Sequence, residues 1–140
     1  MLEYPAKIKH NRTENVYEVS FPDLKGCHTY GDTLDDAKTF AKDALSGWLE
    51  VAFEENMIIP EPSKNSGKNI YFISPEHNVS FAILLRKERE SRHLSQKQIA
   101  EKLLISYQAY QRIENPRKAN PTLKTIAKVE KILGKTLVSI

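Results

Sequence analysis

Over the first twenty residues the apolar positions alternate. Leu2, Tyr4, Ala6 and Ile8 are separated by mostly polar neighbours, and Tyr17, Val19 and Phe21 repeat the pattern after "NRTEN". A period of two puts one set of side chains on one face of a strand, so the two runs read as a β-hairpin. Pro22 and Asp23 break the second strand, and Gly26 and Gly31 bracket a short third one, "CHTY". The period then changes. Leu34, Ala37, Ala41, Ala44, Leu45, Trp48 and Ala52 recur at three and four, the spacing of one helical face, with Thr33 placed to cap and Asp36 three residues on as a variant capping box. One stripe of that helix must lie on the sheet. "PEPSKNSGKN", Pro60 to Asn69, is a loop by composition, and "IYFI", Ile70 to Ile73, is a fourth strand.

After a hinge at residues 75–78 the pattern is helical almost to the end. Phe81, Leu84 and Leu85 begin a helix that runs to about Arg92. Ser95 caps a second with Ile99, Ala100 and Leu103 inward, Ser106 a third with Tyr110 and Ile113 inward, and Pro121 or Thr122 opens a fourth that ends at Gly134. The tail "KTLVSI" is strand-like, and with Leu137, Val138 and Ile140 it offers an edge for pairing with a second copy.

Charge separates the two halves. The whole chain carries +3, but residues 1–78 hold 8 basic and 13 acidic side chains, a balance of −5, whereas residues 79–140 hold 13 and 5, a balance of +8. Two halves of opposite sign suggest two partners, the basic half suiting a phosphate backbone. No apolar run reaches a membrane span and the start lacks a signal pattern, so a cytoplasmic chain with no membrane partner is expected. With one cysteine, Cys27, and with His10, His28, His77 and His93 scattered singly, neither a disulfide nor a structural metal is expected, and nothing calls for a cofactor.

The stretch "LSQKQIAEKLLIS…IEN" resembles the DNA-binding domain of Cro and phage-repressor type regulators. In that family the second helix of the motif enters the major groove. The resemblance makes Tyr107, Gln108, Gln111 and Arg112 candidate base readers, since Gln and Arg can bond bidentately to adenine and guanine edges. It makes Gln96, Ser106, Asn115, Arg117 and Lys118 candidate phosphate holders. Arg89 and Glu114 match the family's ion pair between the first and third helices, and Tyr110 falls on the inward face. The family usually has Gly in the turn, where Leu104 stands here. Either Leu104 adopts a left-handed backbone at a cost of about 1–2 kcal/mol, or the turn is shaped differently.

The string "YEVSFPDLKGCHTYGDTLDDAKTFAKDAL", followed by "IIPEPS", resembles the HicB antitoxin family, and with the helix-turn-helix behind it the resemblance covers essentially the whole chain. It implies an α+β chain: an N-terminal βββαβ partial RNase H-like domain at 1–74, the hinge, and an all-α helix-turn-helix domain with a short C-terminal strand at 79–140. It also implies a HicA-type toxin that cleaves messenger RNA as protein partner and double-stranded operator DNA as the second, and because a single recognition helix makes few base contacts, a homodimer or higher even oligomer on a palindromic operator is expected. Glu14, Asp23, Asp32, Asp35, Asp36 and Glu55 are the candidate toxin-facing acids, because a protein that grips RNA needs a basic surface.

Two other readings stay in view. RNase H-like folds host two-metal nucleases, but that chemistry needs a carboxylate in the middle of the first strand, and "EYPAKIKH" offers only Glu3 at its start, so no enzyme is expected. A one-component regulator whose N-terminal domain senses a small ligand remains open, since no phosphate loop, cofactor lysine or aromatic cage supports it but a pocket is invisible in sequence. Cys27 reads as a small buried residue and Trp48 as core.

Overall fold

The computed structural model describes residues 2–138, which divide into two compact units, Leu2–Glu76 and a second from His77 onward. In the first, strands β1 (Tyr4–Asn11), β2 (Val16–Ser20) and β3 (His28–Gly31) precede helix α1 (Leu34–Glu54), and β4 (Ile70–Ile73) follows it. The four strands form one antiparallel sheet in the order β3-β2-β1-β4. Alternation decides which face is covered: Tyr4, Ala6, Ile8 and Val19 are buried, and so is the stripe Ala37, Ala41, Leu45, Leu49 and Ala52 of α1. Lys7, Lys9, Glu18, His28 and Tyr30, one residue out of phase, are exposed on the opposite face.

The start of α1 is seated tightly. Thr33 Oγ1 accepts from the Asp36 N–H at 3.0 Å, and a Cβ at Gly31 would lie 2.5 Å from the Ala37 nitrogen, so only glycine lets β3 and the first turn of α1 approach this closely. Trp48 departs from the reading as core: it is half-buried, and its indole N–H donates to the Lys25 carbonyl at 3.0 Å, pinning the loop before β3. Buried Tyr4 donates its hydroxyl to the Pro60 carbonyl at 2.6 Å, which fastens the long loop before β4.

The second unit contains α2 (His77–Ser91), α3 (Gln96–Leu103), α4 (Tyr107–Ile113) and α5 (Leu123–Leu133). Helix α2 begins at His77, so the last two residues of the expected hinge are its first turn. They carry no apolar period, and the side chain of Asn78 instead donates to the Pro116 carbonyl at 3.1 Å. Phe81, Leu85, Ile99, Ala100, Leu103, Tyr110, Ile113, Val129 and Leu133 make one core, which Leu137 joins. Of the two residues that could open α5, Thr122 is the cap, accepting from the Thr125 N–H at 3.1 Å.

The C-terminal strand expected from "KTLVSI" is not formed at residues 135–138, and Ser139 and Ile140 lie outside the described residues. Leu137 turns into its own core, and the Leu137 and Val138 N–H groups both donate to Glu130 Oε2. Those backbone donors are therefore not open for pairing with a second chain at this edge.

Candidate functional site

Two capped helices set the geometry of the motif. Ser95 and Gln98 form a complete capping box on α3: Ser95 Oγ accepts from the Gln98 N–H at 3.1 Å, and Gln98 Oε1 accepts from the Ser95 N–H at 2.8 Å. Helix α3 ends on Leu104 with φ 58° and ψ 41°, so the turn has the left-handed form in spite of its side chain, which is 84% exposed. Ser106 then caps α4 through the Ala109 N–H at 3.0 Å.

In a seven-residue helix with 3.6 residues per turn, Tyr107, Gln111, Gln108 and Arg112 fall within an arc of about 140°, and Tyr110 and Ile113 lie opposite. Burial follows that division. Tyr110 and Ile113 are buried, Gln108, Gln111 and Arg112 are exposed, and Tyr107 is half-buried. The Lys97 ammonium stands over the Tyr107 ring, 5.4 Å from its centroid. Lys97 was missed in the sequence, where nothing but its sign marks it; the fold brings it to the head of α4.

Behind this face lies a buried polar network. Arg89 donates from Nε to Glu114 Oε2 and from Nη2 to Oε1, each at 2.8 Å, and from Nη1 to the Leu94 carbonyl at 2.8 Å. Glu114 is 1% exposed and caps the end of α4, so one planar fork ties α2, the entry to α3 and the exit of α4. The hydrogen bonds to Glu114 hold the guanidinium above its ordinary pKa, against the opposing effect of burial. Burial and the nearby Glu114 carboxylate push the Tyr110 hydroxyl upward as well, although it lies outside hydrogen-bonding geometry.

The expected phosphate holders divide. Arg117 and Lys118 are exposed on the segment after α4. Gln96 is half-buried and spends one amide hydrogen on Glu114 Oε1 at 3.2 Å, and Asn115 uses its side-chain oxygen to accept from the Arg117 N–H at 3.0 Å. These two build the site's frame as well as its surface.

The six acids of the first unit are not brought together. Asp32, Asp35 and Asp36 cluster, exposed, around the first turn of α1, while Glu55 caps its far end, about 30 Å away along a 21-residue helix. Glu14 stands in the β1–β2 turn, at the rim of a concavity of about 640 Å³ over the open sheet face, which Lys7, Lys9, Glu18, His28 and Tyr30 also line. Asp23 is half-buried and its Oδ2 accepts from the Ser63 N–H at 2.8 Å, holding the long loop. Burial pushes the Cys27 thiol up to about 11, which suits a packed residue rather than a nucleophile. Among the described residues no three His, Cys, Asp or Glu side chains gather as metal ligands would, and no helix is long and apolar enough to cross a membrane.

Comparison with known proteins agrees with this geometry. Residues 3–75 match the family described as the HicB_like antitoxin of bacterial toxin-antitoxin systems, and residues 85–140 match the helix-turn-helix family. The chain is 31% identical over 136 residues to "Antitoxin HicB 2" of Photorhabdus laumondii, covering 97% of this chain and 94% of that protein. The chain belongs to the HicB-like antitoxin family. It is also 31% identical to "Antitoxin HicB" of Escherichia coli K12, covering 97% of this chain and 96% of the relative. The crystal structure of the antitoxin HicB of Burkholderia pseudomallei is 20% identical, with a TM-score of 0.49 over 74% of this chain and 96% of that one. This HicB-family chain is thus an antitoxin of a toxin–antitoxin system, a regulator rather than an enzyme, with a helix-turn-helix DNA-binding domain at its C-terminal end.

Proposed function

We propose that this HicB-family chain occludes a HicA-type, RNA-cleaving toxin with its N-terminal unit and represses its own operon by binding a palindromic operator, as a homodimer, with its C-terminal unit. The observation that carries the DNA half is the exposed arc of α4: Gln108, Gln111 and Arg112 point outward from a helix whose other side is core. Gln108 and Arg112 read base edges, Tyr107 and Gln111 border them, and Ser106, Arg117, Lys118 and Lys97 meet phosphates. One short helix makes few base contacts, so two copies on half-sites about one helical turn apart supply the affinity.

The toxin half is supported by charge. Residues 1–78 carry −5, and Asp32, Asp35 and Asp36 form the compact acidic group best able to meet a basic, RNA-gripping surface, with Glu14 and Glu55 at other edges of the unit. Asp23 is assigned a structural part, through Ser63. The test is a pair of titrations of the full chain: mobility shift on its own promoter DNA, and protection of RNA from the toxin. Failure of either removes that half.

A ligand-sensing regulator has one observation in its favour, the concavity over the open sheet face. It requires operator binding that responds to a small molecule and is indifferent to the toxin, which the same mobility shift distinguishes.

A further inference from the structure

Helix α1 is 21 residues long, and only one of its sides is spent on the sheet. At 3.6 residues per turn, Phe40, Gly47 and Val51 fall with Asp36, Asp43, Glu50 and Glu54 inside an arc of about 100°, opposite the buried stripe Ala41, Leu45 and Ala52. That outer arc carries four acids and no base. The two lysines of the helix lie to the other side, Lys38 over the Tyr71 ring at 4.7 Å and Lys42 beside Glu76 at 3.8 Å.

Gly47 is the residue that the unit itself does not explain. Glycine in the interior of an exposed helix weakens it, and a Cβ at Gly47 would meet nothing within 4 Å, so no neighbour requires the missing side chain. It stands at the middle of the outer arc. Val51, one turn on, leans back toward it, because helical side chains tilt to the N-terminus, and Phe40 lies two turns before it. Phe40 and Val51 are each 45% exposed. The arc therefore presents two apolar anchors about 16 Å apart along the axis, with a recess between them and acids distributed along its length.

We propose that the outer arc of α1 is the surface on which the toxin seats, with Gly47 as the recess that admits a toxin side chain between Phe40 and Val51. The inference rests on the toxin half of the proposed function and names the face that carries it. Charge selects the occupant. A second copy would set four acids against four, and a nucleic acid would bring phosphates to the same acids. A protein surface built to grip RNA is basic and meets them with opposite sign. Shape agrees, since a convex helical face about 30 Å long suits a protein surface and encloses no small molecule.

The experiment measures the affinity of the full chain for the HicA-type toxin of its operon by calorimetry, beside thermal unfolding of the free chain. Gly47→Gln should leave the melting temperature unchanged or raise it, since glutamine is the better helix former, while weakening toxin binding at least tenfold. Phe40→Lys, at unchanged circular dichroism, should weaken it by a similar factor, and Tyr30→Lys, the same change of charge on the open sheet face, should not. Asp43→Asn should lower affinity and flatten its salt dependence, which Gly47→Gln leaves alone. A native chain that does not bind the toxin removes the reading and this inference together. A native chain that binds, with Gly47→Gln and Phe40→Lys binding as tightly, removes only this one. So does a lowered melting temperature for Gly47→Gln, which would make the glycine a need of the fold. Equal losses for Tyr30→Lys and Phe40→Lys would move the toxin to the sheet and overturn it as well.

Discussion

In the proposed DNA interface, Gln108 and Arg117 take different parts. Both are exposed, but Gln108 sits in the first turn of α4 and Arg117 on the segment after it. Gln108→Ala should cost about 1–3 kcal/mol at one base pair and flatten sequence preference, leaving non-specific binding nearly intact. Arg117→Ala should weaken binding to all sequences and lower the salt slope by about one unit, which a mobility-shift series across ionic strength separates from the first effect. Leu104 is the opposite kind of residue, one that makes a local sacrifice. Its left-handed backbone is strained and its side chain is 84% exposed, so Leu104→Gly loses almost no packing and should raise the stability of the C-terminal unit by up to about 1 kcal/mol in chemical denaturation. Leu104→Val, with a branched Cβ in the same conformation, should lower it. That the turn position departs from glycine was legible in the sequence. That the backbone keeps the left-handed form regardless was not, because both outcomes were compatible with the same residues until the cap bonds of α3 fixed the turn.

At the scale of elements, the Arg89–Glu114 fork fixes the end of α4 against α2. It joins α2 to the end of α4, and its carboxylate is almost fully buried, so removing one partner leaves a charge without water. Arg89→Ala or Glu114→Ala should each destabilise the C-terminal unit by about 3–5 kcal/mol, and Arg89→Met with Glu114→Leu should recover much of that loss. A thermal denaturation cycle of the four chains checks the non-additivity. A second tie, from Glu88 on α2 to Arg92 and to Lys135 beyond α5, is pH-dependent. Burial raises the Glu88 pKa, but the hydrogen bonds and charges of Lys135 and Arg92 outweigh it and hold the carboxyl below its ordinary 4.5. A folded value below the unfolded one means that the contribution is complete above 4.5 and is lost as pH falls through the lower folded value. The stability difference between the native chain and Glu88→Gln, about 1 kcal/mol because the Arg92 and Lys135 partners are solvent-screened, should therefore be constant at neutral pH and vanish on acidification. Denaturant midpoints across that range measure it. Among the described residues, pattern located each of β1 to β4 and α1 to α5 to within a few residues, since strands and helices keep their own periods, and it erred in adding a strand at the C-terminal tail. The ends moved where side-chain bonds rather than burial set them, as at His77 and Asn78.

For the whole molecule, the two units differ in charge by sign and in chemistry by fold, and each should work in isolation for its own partner. Residues 1–78 expressed alone should bind the toxin and protect RNA from it, and should show no metal-dependent cleavage of RNA or DNA. A fragment that is folded by circular dichroism yet gives no protection would separate toxin binding from this unit. The acids that the sequence offers as one face are spread by the fold over the two ends of α1, a hairpin turn and a loop, so single substitutions should act unevenly. Asp35 and Asp36 should affect toxin affinity, and Asp23 should affect the loop that its bond to Ser63 holds.

The sequence by itself determined the order of elements from β1 to α5, the division of charge between two units, the capped pair of helices and the inward side of α4. Each of these is a local or additive property, readable from period, cap residues and sums of charge. Only the tertiary structure decided which acids stand together, that Trp48 and Asp23 hold loops, and that the Leu137 tail folds into its own core. Those depend on which backbone donors and acceptors remain after the chain has satisfied the rest, and that account closes only in three dimensions.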